Sequence, residues 1–501
     1  MLYSTHLLLT LATLPIAETR DAVTVILERQ IDLLTADLLA FLAQPCSPIR
    51  TFDYERGLEA RLLETGRQLL ESVYNRLEGN DPHALPSHMR EGGEDYRILR
   101  KKTPHNVDTL FGSIRLLRHL YRPVARDSAE GSVVPLERAL GVVEGTTPAL
   151  AEVVTRAAAE TGATQRRVQD QLRDRHGVTI GTKRLRALID RVSKPMAEAR
   201  QKFQAARIVE LLGQANASTG RTKPVLGVSR DGISLRENQH GVYEVATSAT
   251  VTVYDRRGQR AGTVYLAFAP QLGQQQMTDQ LTGLIEEVLR QWEGSLPRLA
   301  YVTDAGDNES KYYEQVLRPM VHPRTGETLA WQRIVDFYHA MERVWKLADV
   351  LFGDDKRGGW AWARRMGGLL KKAGGPSRVL HSAGALKSRQ VLNLAQEAEY
   401  EKACNYLRSR TQWMQYSEYK RVNLPLGSGI VEAACKTIYT QRLKLSGMRW
   451  SKAGAQTILN LRVVLLSGVW DEAYRYILKE NAYMELRTPD RQGEIPLQMA
   501  S

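Results

Sequence analysis

Three acidic residues stand in settings from which their carboxylates can reach a common point. Asp231 closes the apolar run Val225-Leu-Gly-Val-Ser229. Asp304 closes a second run, Leu299-Ala-Tyr-Val-Thr303, and opens Asp304-Ala-Gly-Asp-Asn308. Glu432 lies just inside a helix that begins near Leu426-Gly-Ser-Gly429. Two carboxylates at strand ends and one on a later helix can hold divalent cations. Metal-assisted phosphodiester cleavage uses two such ions, Mg²⁺ or Mn²⁺, about 4 Å apart. Hard cations take oxygen ligands, so Asp and Glu suit them where His and Cys do not. On this pattern Asp231 bridges both ions, Asp304 holds one and Glu432 the other. Each residue also has a plainer reading. Asp231-Gly232 is a common turn dipeptide. Asp307 can be the ligand while Asp304 caps. Glu432 can complement the dipole of a first helical turn, with Ser428 as N-cap.

The elements that must position these residues follow from periodicity. From Arg221 the chain reads as strand Val225–Ser229, then a long hairpin with arms Tyr243–Tyr254 and Arg260–Phe268 turning at Asp255-Arg-Arg-Gly258. A helix over roughly Met277 to Trp292 follows, then strand Leu299–Thr303 and a short helix around Tyr312–Leu317. Strand Trp331–Phe337 and a helix from His339 to about Phe352 complete the run. Three strands, helix, strand, helix, strand, helix is the order of an RNase H-like domain. Residues 353–425 read as a basic helical insertion domain, with glycine-rich pieces at Lys356-Arg-Gly-Gly359 and Lys371-Lys-Ala-Gly-Gly375. The core then resumes over 426–480 with the Glu432 helix.

Ahead of this core, residues 1–94 have helical periodicity to about Glu91, with Leu33, Leu34, Leu38, Leu39 and Phe41 in one set, as in a packing or dimerisation bundle. Residues 95–145 include a hairpin over Thr109–Arg122, turning at Gly112-Ser113, whose arginines alternate with apolar residues. Residues 146–200 read as a helix-turn-helix. Thr164 caps its second helix, Gly177 ends it, and a third helix starts near Thr182. Lys183, Arg184 and Arg186 on that third helix are candidate DNA contacts, since a basic helix after a tight turn suits a major groove. A further helix from Ser193 leads into a polar linker at Gly213–Gly220.

Charge points the same way. Lys and Arg number 69 against 56 Asp and Glu, a net +13, which favours a polyanionic partner. No acidic residue occurs from Lys436 through Trp470. Arg442, Lys444 and Arg449 supply charge there and Trp450 a stacking surface, all four being candidate DNA contacts. Cys46, Cys404 and Cys435 form neither a Cys-x-x-Cys pair nor metal-ligand spacing, so a reducing cytoplasm is expected. The apolar run Leu7–Leu14 lacks a positive flank and reads as a buried first helix rather than a signal peptide. No stretch is long and apolar enough to span a membrane.

Particular motifs narrow this further. Val228-Ser-Arg-Asp-Gly232, Val302-Thr-Asp-Ala-Gly-Asp307, Val335-Asp-Phe-Tyr-His339, Leu426-Gly-Ser-Gly-Ile-Val-Glu432 and Gln441-Arg-Leu-Lys-Leu-Ser-Gly-Met-Arg-Trp450 resemble those of the DDE transposases of bacterial insertion sequences, most closely the ISKra-type branch. The helix-turn-helix and preceding hairpin also resemble that family's N-terminal region, so the resemblance runs over most of the chain after about residue 95. It implies an RNase H-like core in a multidomain α+β and α/β chain, a mixed sheet flanked by helices, with an all-helical insertion before the glutamate. It also implies the triad Asp231, Asp304 and Glu432 holding two Mg²⁺ or Mn²⁺ ions, and so selects Asp304 over Asp307. Asp336 and His339 resemble the Asp-x-x-His element of Mutator-like relatives, with an accessory role. The implied activity is cleavage at the inverted repeats of an element, followed by strand transfer to target DNA. The implied partners are double-stranded DNA and further copies of the chain, in the bacterial cytoplasm and nucleoid. The alternatives are a domesticated, non-catalytic DNA-binding protein and a structure-specific nuclease on the same fold.

Overall fold

The protein is described from a computed structural model, which covers residues 16–77, 85–125, 128, 130–236 and 243–480. The chain divides into two compact units, residues 1–196 with 474–501, and residues 197–473. The apolar run at residues 7–14 lies outside the described residues.

The first unit opens with two long helices, α1 (Ile16–Leu42) and α2 (Pro48–Arg76). Ser47 caps α2, and Pro48 occupies the first position, where a missing N–H costs nothing. Ion pairs such as Arg61–Asp37 at 2.7 Å tie the pair together, yet Val25, Ile31, Leu39, Leu42, Ile49 and Phe52 stay exposed. Helix does not reach Glu91 as the periodicity suggested. The helix ends at Arg76, and β1 (His88–Glu91) pairs with β2 (Glu94–Ile98) around the left-handed pair Gly92-Gly93. The expected hairpin is present but shifted. Strands β3 (Thr103–Thr109) and β4 (Gly112–Arg118) turn at Leu110-Phe111, and Gly112, at φ 107°, starts the return strand. Alternation sends Ile114 and Leu116 inward, while Arg118 bonds the buried Glu137. Strand β5 (Tyr121–Pro123) joins β2, and α3 (Pro135–Ala139) follows.

The helix-turn-helix helices are α4 (Pro148–Ala159), α5 (Gln165–His176) and α6 (Thr182–Ala217). Thr164 Oγ accepts from the Arg167 amide at 3.1 Å, and Gly177, at φ 61°, ends α5 in the left-handed conformation, as expected. The third helix is not divided at Ser193. It continues for 36 residues through Pro195, and the linker is correspondingly shorter. Apolar residues at helical spacing on both sides of the proline, Leu188 and Val192 ahead and Met196, Ile208, Leu211 and Leu212 beyond, keep both halves packed.

The second unit is built on one five-stranded sheet. Its strands are β6 (Val225–Arg236), β7 (Tyr243–Tyr254), β8 (Arg260–Phe268), β9 (Arg298–Thr303) and β10 (Trp331–Val335), in the spatial order β10-β9-β6-β7-β8. Strands β6, β7 and β8 are antiparallel, and β9 and β10 continue from β6 in parallel. The sheet and its helices make a mixed α/β unit in a multidomain α+β chain. The parallel connections are helical: α7 (Gln275–Gln291) before β9, then α8 (Asp307–Tyr312) and a wide, π-type turn at Tyr313–Leu317 before β10. Helix α7 buries Met277, Leu281, Leu284, Ile285 and Val288 in a shared core with Leu226, Val251 and Leu266. Arg200, fully buried on α6, is held by Gln280 and by Asn460 at 3.2 Å, and burial pulls its pKa down to about 10.

After β10 come α9 (Phe337–Phe352), α10 (Lys356–Leu370), α11 (Gly375–Lys387), α12 (Leu394–Ser409) and α13 (Tyr416–Arg421). The sequence suggested a separate insertion domain over 353–425. Instead Trp362, Met366, Leu370, Tyr400, Leu407 and Tyr416 share one core with Ala300, Val302, Ile334 and Val335 of the parallel strands. Tyr416 Oη donates to the Val335 carbonyl at 3.0 Å. Gly358 and Gly359 lie inside α10 rather than in a loop, and Gly374, at φ 63°, forms the turn into α11. Helix α14 (Gly429–Cys435), a second wide turn at Lys436–Thr440, α15 (Lys452–Leu466) and α16 (Trp470–Lys479) complete the described chain.

Trp362 is the test of this shared core. Trp362→Ala should cost about 3–5 kcal/mol. Urea denaturation should show sheet and helices lost in one transition, whereas a separate early transition of residues 353–425 would mean an autonomous insertion.

Candidate functional site

Asp231 lies inside β6 and not at its end. It stands opposite Ser248 of β7, with Gly232 still extended and paired with Thr247. The Asp-Gly turn is therefore ruled out. The parallel pairing of β6 with β9 stops at Val228–Tyr301, so Asp231 projects beyond the end of the neighbouring strand. Asp304 directly follows β9, whose last residue, Thr303, pairs with Val335. The two carboxylates lie at the same level of the sheet, where β9 and its pairing with β6 end while β6 itself runs on beside β7.

The Asp304 loop is tightly held. Asp304 Oδ1 accepts from the Gly306 amide at 2.9 Å. Ala305 is buried in a left-handed conformation, φ 61°, which strains a residue with a Cβ by roughly 1–2 kcal/mol. Tyr406 Oη donates to the Asp304 carbonyl at 2.8 Å, and Arg410 Nη2 to the Ala305 carbonyl at 3.2 Å. Asp307 is exposed in the first turn of α8. Glu309, two residues further, is buried, within electrostatic reach of both Asp304 and Asp231. Burial, and then the Asp304 charge, push Glu309 above the usual carboxylate range.

Glu432 arrives by a different route. Asp336, fully buried between β10 and α9, accepts from the Tyr338 amide at 2.5 Å and the His339 amide at 3.2 Å through Oδ1. Its Oδ2 accepts from the Ser428 amide and, at 2.5 Å, from Ser428 Oγ. An ionised carboxylate has about four acceptor positions. With all of them engaged, Asp336 positions its neighbours and is not available as a ligand. Gly427 lets the Tyr338 ring lie over this crossing, since a Cβ there would meet the ring at 2.9 Å and push it aside. Ser428 thus leads into α14 with its hydroxyl turned to Asp336 rather than to the helix.

Helix α14 presents Glu432 and Cys435, three residues apart, on one face. Glu432 Oε1 lies 3.3 Å from His339 Nε2 and 3.3 Å from Ser428 Oγ, whose single proton goes to Asp336. Cys435 Sγ lies 3.0 Å from Ser248 Oγ and donates to Asp231 Oδ2 at 3.4 Å. Burial, with Asp231 adding to it, raises the Cys435 thiol to about 12, so it remains a protonated donor. Burial lifts the Asp231 pKa, the Gly232 amide and Cys435 bonds oppose that, and Asp304 lifts it further. Burial depresses the His339 imidazole, but the Glu342 bond at 3.2 Å and the charges of Asp336, Glu342 and Glu432 leave it above its ordinary value.

Asp231, Asp304, Glu432, Asp336 and His339 therefore meet at one end of the sheet. The carboxylate oxygens of Asp231, Asp304 and Glu432 are of the kind that hard cations take, and burial is the main cause of the raised pKa of Asp231 and Glu309. Among the described residues, however, no three His, Cys, Asp or Glu side chains are gathered closely enough to hold a metal ion. Sequence reasoning passed over Glu309 and Cys435. Spacing could have found Cys435, one turn beyond Glu432, whereas Glu309 needed the direction of α8.

The candidate DNA contacts divide by burial. Lys183 and Arg186 are exposed on α6, but Arg184 is committed inward, to Asp108 at 2.7 Å and to the carbonyls of Glu144 and Gly145. Lys444 and Arg449 are exposed. Arg442 is buried, its guanidinium 5.2 Å from the Trp450 ring, and Trp450 Nε1 donates to the Leu443 carbonyl at 3.0 Å. Among the described residues no helix is long and apolar enough to cross a membrane.

No known family profile matches the chain. It is 23% identical over 440 residues to the UPF0236 protein in vanSb 3'region of Streptococcus gallolyticus, covering 85% of this chain and 86% of that protein.

Two outcomes test the site's construction. Asp336→Asn places an amide N–H against the Ser428 donors and should cost about 2–4 kcal/mol, read from equilibrium unfolding. Asp231→Asn should act oppositely in metal-free protein. A carboxyl whose folded pKa is raised costs stability once pH passes its unfolded value near 3.9, and increasingly so up to the folded value. The variant should therefore be more stable than the wild type at pH 7, with the difference vanishing on acidification below that window.

Proposed function

We propose that the protein is a metal-dependent DNA strand-transfer enzyme, a DDE-type transposase, whose catalytic carboxylates are Asp231, Asp304 and Glu432. One observation carries this reading. Asp231 within β6, Asp304 directly after the adjacent parallel strand β9, and Glu432 on a helix docked through Asp336 and Ser428 come from three separate chain segments toward one region of a mixed sheet, and this supports the reading. The strand order, three antiparallel strands continued by two parallel ones, supports an RNase H-like core. The net charge of +13 and the exposed Lys183, Arg186, Lys444 and Arg449 support a DNA partner.

Asp231, Asp304 and Glu432 are the residues that would hold two Mg²⁺ or Mn²⁺ ions, which when bound activate the attacking oxygen and stabilise the leaving one. The chain's own groups prepare the site. Asp336 fixes the approach of the Glu432 helix. Cys435 orients Asp231 by donating its S–H. His339, held between Glu342 and Glu432, restrains Glu432 until a cation competes for it. Glu309 is a further carboxylate within reach of Asp304.

A non-catalytic DNA-binding protein on the same scaffold is the second reading. The observation on its side is that no three of the acidic side chains are gathered together among the described residues.

Linear duplexes carrying the DNA that flanks the gene, incubated with the full chain and Mg²⁺, separate the two. Nicking or joined products are expected, lost on chelation. Asp231→Ala and Asp304→Ala should each lower the rate by roughly 10³-fold or more, about 4 kcal/mol of barrier, while DNA binding persists. Binding without any product, at every Mg²⁺ and Mn²⁺ concentration, would favour the second reading. Cleavage that survives both substitutions would exclude the assigned carboxylates.

A further inference from the structure

Beside the carboxylate end of the sheet lies a cleft of about 520 Å³ lined by Arg343, Lys402, Tyr406, Arg408 and Arg410 with Asn405 and Ser409. It is formed by α12, the residue following it, and Arg343, one helical turn beyond His339 on α9. Several arginines elsewhere in the fold stand against carboxylates, as in Arg67 with Glu64 and Glu71 or Arg318 with Glu314. Among the described residues, none of these four cations has a carboxylate partner. Glu399, the acid close enough to feel Arg343 and Lys402, is paired with Lys346 at 3.1 Å. Arg343 Nε is buried and makes no hydrogen bond. Like charges gathered without counter-charge in a concave site call for an anion.

The ring of Tyr406 says which part of a nucleic acid fits. The guanidinium carbons of Arg343 and Arg410 lie 4.8 and 4.3 Å from its centroid, so the ring already carries two cations. A base would have to displace them to stack, whereas a phosphate can join them. The same ring and the same arginine also hold the Asp304 loop, through the carbonyls of Asp304 and Ala305.

We propose that this cleft is a phosphate-binding subsite that takes a backbone phosphodiester of the DNA strand, next to the one presented to the carboxylates. It deepens the strand-transfer reading and rests on it for the identity of the ligand. An occupant neutralises the cationic cluster and braces the loop bearing Asp304, so that strand position and carboxylate position are set together.

Lys402 and Arg408 are exposed and do not hold the Asp304 loop, so Lys402→Gln with Arg408→Gln removes charge without disturbing the fold. The test is fluorescence anisotropy with a labelled single-stranded oligothymidylate in EDTA, repeated from 50 to 200 mM salt (conditions chosen for the experiment, about a fourfold range). The wild type should bind. The double variant should bind roughly tenfold more weakly, with its log–log salt slope reduced by about 1.4, and Lys402→Arg with Arg408→Lys should restore both. Arg343→Gln, checked for folding by circular dichroism, should weaken binding as well. Unchanged affinity and slope in the double variant would overturn the subsite while leaving DNA binding intact. If the oligonucleotide fails to bind any form but pyrophosphate binds and the double variant weakens it, the anion site stands and the DNA reading falls. If neither probe binds the wild type, both fall.

Discussion

The carboxylate end of the sheet is organised around Asp336, a buried group that accepts from two amides of its own helix and from the amide and hydroxyl of Ser428, 92 residues further along. The long-range half of that network connects chain segments that would otherwise be independent. Strand β10 delivers Asp336, helix α9 delivers His339, and the Ser428 bonds bring α14, with Glu432 and Cys435, over the edge of β6. Burying an ionised group is unfavourable unless its acceptor positions are filled. The network is thus close to all-or-none, and the placement of Glu432 inherits that property. Gly427 and the ring of Tyr338 show the same constraint in steric form, since the ring lies where a Cβ of residue 427 would stand.

Around this brace the acidic residues are held in mutual tension. Asp231 and Glu309 are largely buried and feel Asp304 without a salt-bridged cation of their own. Cys435 contributes a hydrogen bond but no charge. His339 reaches Glu432 and Glu342. Stability is set against charge here, since burial and the neighbouring Asp304 both disfavour the ionised forms of Asp231 and Glu309.

Much of this arrangement was legible in the chain. The hairpin arms Tyr243–Tyr254 and Arg260–Phe268 and the cap and stop at Thr164 and Gly177 lie where local patterning puts them, because turn chemistry and alternation are local properties. The acidic positions could be singled out because each ends or interrupts an apolar run. What failed was long-range. The helical stretch after Gly353 read as a separate domain because its basic, glycine-rich surface gave no sign that Trp362, Tyr400 and Tyr416 close the core beneath the parallel strands. Local sequence also divided α6 at Ser193, where the helix in fact runs on through Pro195 with packing on both sides. Arg184 and Arg442 counted as surface charge until their inward partners and burial were seen, since a sequence gives the number of cations but not their direction.

The wide turn at Lys436–Thr440 has a consequence for how this protein can change over time. It adds a residue to the helical path directly after Cys435, so everything beyond is rotated relative to the Glu432 face. Tyr439 owes its bonds to the carbonyls of Thr247 and Phe268 to that rotation. Between Glu432 and Tyr439 the chain therefore has a fixed length as well as a fixed chemistry. Side chains there can drift so long as they fit. Losing or gaining one residue would turn either the glutamate or the tyrosine off the sheet, which makes this segment far less tolerant of length change than its irregular geometry suggests.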